Sequence, residues 1–324
     1  MFSLLQTLNT QLQKAMPLIT PTSVILGVLL TTYIKDFSFL IPWIFAFMTF
    51  SGSLSSNFQS LKQAIFHPFS MIIVMVILHI FMPLWAFGIG HLSFRGDAHT
   101  ITGLVLGMII PTGITSVIWV SIYKGNMAVT LSIILIDTLL SPFIVPFTLS
   151  LFVGQKVEMD IISIMNGLLW MVVVPSILGM ILNQMTKGKV QEIIGAKLSP
   201  FSKLALGLVV MLNGAVIAPH LKHINLKLIW IGIVVFFIAF TGYLFSILIS
   251  RILKRDRETT VAITFLGGMR NISAGAVIAV TYFPASVATP VIIGMLFQQV
   301  LASLFGSVLD KLSKQTKYEK RSIA

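Results

Sequence analysis

Long apolar stretches alternate along the chain with short polar connections. Stretches free of Asp, Glu, Lys and Arg cover 15–34, 37–61, 63–94 and 98–123. Residues 125–155 follow, broken only by Asp137, and then 161–186, 204–221 and 228–250. The last stretch, 259–309, is broken only by Arg270. A helix crosses the hydrocarbon core with about 20 mainly apolar residues. The last stretch is too long for one crossing, and Tyr282-Phe283-Pro284-Ala285 is a natural turn inside it. The pattern predicts an all-α integral membrane protein with ten transmembrane helices. Residues 1–13 are polar and lack the basic region of a signal peptide, so the first span is expected to remain in the mature protein.

Composition agrees with the lipid bilayer as the main partner. Of 324 residues, 56% are hydrophobic and 10% charged, against about 25% charged in an ordinary soluble domain. There is no Cys, which excludes disulfides, thiolate metal sites and cysteine nucleophiles. A net charge of +12 would point to nucleic acid in a soluble protein. Here its distribution matters more than its size. With ten spans both termini share one side, and sixteen of the twenty-two Lys and Arg residues fall on that side, against five on the other. The positive-inside rule then puts both termini in the cytoplasm of a plasma-membrane protein. The basic tail from Lys311 to Arg321 is simplest as a charge anchor at an anionic leaflet, not as a nucleic-acid arm.

The connection 154–160 divides the ten spans into five and five. Residues 1–153 form one five-helix repeat, 154–310 a second, and 311–324 the basic tail. An odd number per half inverts the second repeat relative to the first, the usual plan of secondary transporters. The fourth span of each half is interrupted: Pro111-Thr112-Gly113-Ile114-Thr115-Ser116 in span four, and Gly267-Gly268-Met269-Arg270-Asn271-Ile272-Ser273 in span nine. Alone, either would read as a proline kink or close packing at glycine. Matching places in two halves favour a substrate cavity, because broken helices expose backbone groups that hydrocarbon forbids.

These strings carry a resemblance to the bile acid:sodium symporter family from about residue 18 to 309. Others are Ser51-Gly52-Ser53-Leu54 with Phe58, Met82-Pro83, Lys124-Gly125-Asn126, Thr138-Leu139-Leu140-Ser141-Pro142 and Gly268-Met269-Arg270-Asn271. The resemblance implies a panel domain of spans 1, 2, 6 and 7 and a core domain of spans 3–5 and 8–10. In the core, spans four and nine cross at their breaks. It further implies transport of bile acids or other organic anions by alternating access, often driven by sodium.

The departures fall on the family's sodium ligands. Its span-nine Glu falls at Leu266 and its Gln at Arg270; the Asn after the span-four Ser is Val117. The span-three Gln falls at Leu78, beside His79, and of two span-five hydroxyls Thr130 survives while the other is Ile134. Hard cations need several oxygen donors, and Arg repels them. No sodium is therefore expected at the family's positions, and the sequence points to no metal or cofactor.

Arg270 and Asp137 are the two charges placed well inside spans. An Arg at the centre of a membrane helix costs about 2.5–3.5 kcal/mol on insertion scales, so it must face a cavity or a partner. Either the two residues pair and merely offset one another, or Arg270 takes the electrostatic role of the missing sodium. In the second case it neutralises the cavity and offers donors to an anionic substrate. Asp137 would then be its partner or a carrier of protons. Thr112, Thr115, Ser116, Asn271 and Ser273 sit at the breaks, where they would contact substrate or cap the half-helices. Thr130 joins the candidate site through the resemblance. His79 lies mid-span and would titrate, although a His bonded to a backbone carbonyl is the plainer expectation. Gln298 and Gln299 either face the cavity or bridge helices, and bridging is the plainer expectation. No phosphate loop, paired acids or HExxH marks an enzyme. The alternatives to sodium-independent anion transport are a sodium symporter with relocated ligands and a membrane sensor on the same scaffold. Nothing in the sequence fixes an oligomeric state.

Overall fold

The computed structural model describes residues 2–56, 58, 68–154, 157, 159–221 and 225–322. The described residues are helical throughout their ordered elements. In chain order these are α1 (Phe2–Leu29), α2 (Thr31–Ser53), α3 (Pro68–Ser93), α4 (Ala98–Ile109), α5 (Ser116–Ile122) and α6 (Met127–Val153). The others are α7 (Ile161–Met185), α8 (Ala196–Leu221), α9 (Leu226–Ile252), α10 (Arg257–Gly268), α11 (Ile272–Tyr282) and α12 (Ala285–Ser322). Among the described residues, eight helical segments, with α10 and α11 taken together as one, are long and apolar enough to cross a membrane, or nine if the bent α1 is one span. α4 is apolar but short. Large apolar side chains such as Leu18, Phe147 and Trp170 stand outward, about 70% exposed, as a lipid-facing surface requires.

Three expected boundaries move. Helix begins at Phe2 and not at residue 15, with a bend of 79° between Gln6–Gln13 and Leu18–Leu29. The second stretch, expected over 37–61, is helical over Thr31–Ser53, and 57 and 59–67 lie outside the described residues. The seventh starts at Ala196, ahead of the expected 204. The physical reason is common to all: a charge marks where lipid ends, while a helix continues as long as its backbone bonds do. The same applies to the basic tail, whose backbone stays helical to Ser322. The turn at 282–285 falls where expected, between α11 and α12.

Helix starts are fixed by short acceptor side chains. Asp97, Asn126, Asp160, Asn225, Asp256 and Asn271 each precede a helix and accept a hydrogen bond from the backbone N–H three residues on, the N-cap arrangement. Asp97 is also bonded to Lys227 at 2.7 Å, which ties the start of α4 to that of α9. Burial pushes the Asp97 carboxyl up, but Lys227 and Thr100 outweigh it and hold it below the ordinary carboxylate value of 3.8. A depressed folded value means that this contribution is present at neutral pH and disappears as pH falls through the carboxylate range. Asp97→Asn is therefore expected to lower the melting temperature at neutral pH, with the gap to wild type closing below about pH 4. A gap that stays constant with pH would exclude the charge as its source.

Close backbone approaches mark the main seams. A Cβ on Gly27 would lie 2.0 Å from the Met211 carbonyl, and one on Gly214 2.9 Å from that of Val24, so α1 and α8 touch through glycine from both sides. α7 meets α2 through Gly179, and Asn183 donates to the Leu54 carbonyl at 2.6 Å. α4 meets α12 at Gly103, whose Cβ would lie 2.3 Å from the Val287 carbonyl. α10 lays Gly267 and Gly268 against Ser246 and Tyr243 of α9.

Candidate functional site

Each break has a local cause. Pro111 supplies no N–H and forces Ile110 out of helix, to φ −59° and ψ 140°. α10 ends on Gly267-Gly268, and Met269 is extended at φ −98° and ψ 142°. The two breaks meet main chain to main chain: Asn271 N–H donates to the Pro111 carbonyl at 2.8 Å. A Cβ on Gly113 would come within 2.9 Å of the Arg270 carbonyl, so the crossing needs glycine there. Thr112 Oγ1 donates to the Leu266 and Met269 carbonyls at 3.0 and 3.2 Å, which stitches one break to the other.

Arg270 is 2% exposed. Its Nε donates to the Met108 carbonyl at 2.9 Å, and one terminal nitrogen donates to Gly267 and Met269 carbonyls at 2.8 and 3.2 Å. Those carbonyls belong to the last turns of α4 and α10 and to the residue that follows α10. The last carbonyls of a helix lack partners and carry its negative end. One guanidinium thus satisfies the C-terminal ends of both half-helices. Its other terminal nitrogen, Nη2, is buried with no hydrogen-bond partner among the described residues, and Arg270 also borders a small cavity of about 30 Å³ with Tyr243, Gly268 and Gln298.

The expected alternative of an Arg270–Asp137 pair does not occur: among the described residues no ion pair joins them. Asp137 is fully buried on α6 and bonds elsewhere. Its Oδ1 lies 2.6 Å from His79 Nε2, and its Oδ2 accepts from Thr112 N–H at 2.7 Å. His79 is therefore not bonded to a backbone carbonyl through that nitrogen, which corrects the plainer expectation. The local cause is a wide helical turn over Ile77–Phe81, ahead of Pro83, which has no N–H for the His79 carbonyl four residues earlier. The Met82-Pro83 string signals the wide turn; the His79–Asp137 contact joins residues 58 apart, and no sequence spacing announces it.

A cavity of about 420 Å³ opens beside the crossing, bordered by α1, α2, α5, α8, α11 and α12. Thr115, Asn271 and Ser273 line it, as do Arg270, Gln298 and Gln299. Trp119, Phe45 and Met48 give it an apolar wall. Thr112, Ser116 and Thr130 do not line it. They are buried and bonded to backbone carbonyls, Ser116 to Gly113 and Thr130 to Asn126, both at 2.7 Å. These three hold the break and the start of α6. Asn271 does both, since it also caps α11. Gln298 and Gln299 bridge as expected, Gln298 accepting from Arg270 N–H and Gln299 from Trp119 Nε1. Lys203 lines the cavity too; in the sequence it reads only as a topology charge. It bonds Asn9 and Ser199.

Residues 38–311 match the model of the SBF-like CPA transporter family. The chain belongs to this family. It is 56% identical over 305 residues to YbaS of Bacillus subtilis (strain 168), covering 94% of this chain and all of that protein. It is 26% identical over 291 residues to the sodium-dependent transporter YocS of the same organism, covering 87% and 89% of the two chains. It is also 26% identical over 273 residues to the probable sodium/metabolite cotransporter BASS1 of Oryza sativa subsp. japonica, covering 84% and 66%. The resemblance to bile acid:sodium symporters holds, and the chain is a multi-span membrane transporter of this family and not an enzyme.

Proposed function

We propose that the chain carries an organic anion across the plasma membrane by alternating access, without sodium, with Arg270 supplying the positive charge that sodium supplies in relatives. The observation that carries this reading is the three backbone carbonyls on the Arg270 guanidinium. Oxygen donors of this kind at broken-helix C-termini are what a hard cation would need. Here a fixed guanidinium satisfies them. On the other side of the crossing α11 begins, and the positive end of its backbone, with Thr115, Asn271 and Ser273, favours an anion in the cavity. Its apolar wall suits a substrate with a hydrocarbon body.

The finer architecture belongs to the same proposal: ten spans, with the broken pairs α4/α5 and α10/α11 each counted as one, in two inverted five-helix repeats of residues 1–153 and 154–310. Both termini are cytoplasmic, with 311–324 as the tail. The glycine seams of α1 with α8 and of α2 with α7 support a panel unit that moves against the rest.

Thermal stabilisation of the purified chain by taurocholate and by short mono- and dicarboxylates tests this, with sodium replaced by choline. At least one anion is expected to stabilise wild type equally in both salts. Arg270→Gln is expected to lose the effect and Arg270→Lys to keep part of it. Stabilisation that requires sodium would make the chain a symporter with relocated ion ligands. Stabilisation without any flux into proteoliposomes would make it a sensor.

A further inference from the structure

Asp137 and His79 form a two-residue unit inside the core that anion binding by Arg270 does not use. Asp137 Oδ1 and His79 Nε2 stand 2.6 Å apart, so one proton lies between them in either tautomer. Asp137 Oδ2 is committed to Thr112 N–H. The remaining site is His79 Nδ1, which is buried and has no hydrogen-bond partner among the described residues. With Nδ1 bare the unit holds one proton and a charge of −1. With Nδ1 protonated it holds two and is neutral. The surroundings contain little else that titrates. Among the described residues, the helices packed on α6 carry His91 on α3, His99 on α4, and Arg257 and Glu258 on α10. Each lies about two helical turns or more along its helix from the crossing. α5 and the part of α7 against α6 carry no ionisable side chain. Arg270, with Tyr243 beside it, is the other charge at the crossing.

We infer that the His79–Asp137 pair is a proton-binding site whose occupancy is read by the span-four break through the Thr112 N–H···Asp137 bond. A carboxylate that accepts from a backbone N–H bonds it more strongly when charged than when neutral. With the second proton on His79 Nδ1, the imidazolium draws the carboxylate's charge toward Oδ1 and away from Oδ2. This weakens the Thr112 N–H bond that holds the broken backbone to α6, and the break loosens at the edge of the cavity. The coupling ion of the transport cycle proposed above is then a proton. The site itself stands on geometry that does not depend on which solute is carried.

Hydrogen–deuterium exchange of the full-length protein in proteoliposomes tests the site directly, following peptides that span 110–117 and correcting for intrinsic exchange chemistry. In wild type the corrected exchange of this segment is expected to rise about tenfold on acidification, as the opening free energy falls. In Asp137→Asn, which keeps an acceptor for Thr112 but cannot ionise, and in His79→Gln, which keeps a donor to Asp137, the rise is expected to vanish. A wild-type segment indifferent to pH, or an Asp137→Asn variant with the wild-type profile, would overturn the inference. A second arm loads the vesicles with a pH-sensitive dye and imposes a gradient of taurocholate, whose sulfonate stays ionised and carries no proton by itself. Proton movement with taurocholate in wild type, lost in both variants, is expected. Taurocholate flux without proton movement would overturn proton coupling. Absence of taurocholate flux would count against the organic-anion reading, and the exchange result would then decide the proton site alone.

Discussion

Leu266→Glu combined with Arg270→Gln is expected to create a sodium-dependent rise in melting temperature that wild type lacks. Arg270 now occupies the carbonyls of Met108, Gly267 and Met269, and its charge repels any cation that would replace it. Gln at this position removes the charge and frees all three oxygens. Leu266 is fully buried at the position where the family resemblance expects an anionic ligand, so Glu there supplies the missing carboxylate. A hard cation then meets one charged and several neutral oxygen donors, the combination it prefers. Sodium at a hundredfold excess over its dissociation constant would add about 2.7 kcal/mol. Each single variant should fail. Leu266→Glu alone leaves the new carboxylate with a fixed cation beside it, in Arg270. Arg270→Gln alone frees the carbonyls but supplies no anionic ligand, since Leu266 is still in place. Melting curves in sodium and choline across the four proteins decide the matter. A double variant as indifferent to sodium as wild type would mean that the guanidinium does not stand where a cation could.

Asp137→Leu is expected to destabilise the protein by about 3–5 kcal/mol, the usual cost of removing one partner from a buried polar pair. Leu fills roughly the same volume, so the cost is not a cavity. It comes from Thr112 N–H and His79 Nε2, which lose their acceptor where Asp137 is fully buried. Asp137→Asn should cost much less, because its side-chain carbonyl still accepts one of the two bonds. Unfolding of the three proteins in mild detergent measures the order. A Leu variant as stable as wild type would show that the pair contributes nothing to holding the break.

Much of the scaffold is legible in the sequence because lipid imposes a simple rule on composition. The apolar stretches, the two breaks and the turn before Ala285 are all visible as residues that hydrocarbon tolerates or refuses. Helix ends are less legible at Phe2, Ser53 and Ala196, since membrane edges and helix ends answer to different forces. At the candidate site the residue types are visible but their partners are not. Asp137 and Arg270 stand out as isolated charges, and the economical expectation is that they meet. The structure instead gives Asp137 to His79: Met82-Pro83 signals the wide turn that carries His79, but no spacing announces its partner. It gives Arg270 to backbone carbonyls, which are the same for every residue and therefore invisible in a sequence. Lys203 escapes notice because a lysine near a membrane edge is ordinary. Only the fold puts it against the cavity.

The cation at the crossing is covalently part of the chain. A sodium ion that neutralises a cavity crosses the membrane with its solute, whereas the Arg270 charge remains behind when the solute leaves. On the proposed cycle, a monovalent anion moving alone therefore carries its own negative charge across the whole potential. With the cell interior negative, each such step is driven outward by about 2.3 kcal/mol per 100 mV, and a dianion by twice that. A single accompanying proton makes the monovalent step electrically silent. Whether a gradient of a monovalent solute evokes a current across a planar bilayer would thus report whether the anion moves alone or with a proton, because the protein's own positive charge cannot be counted among the passengers.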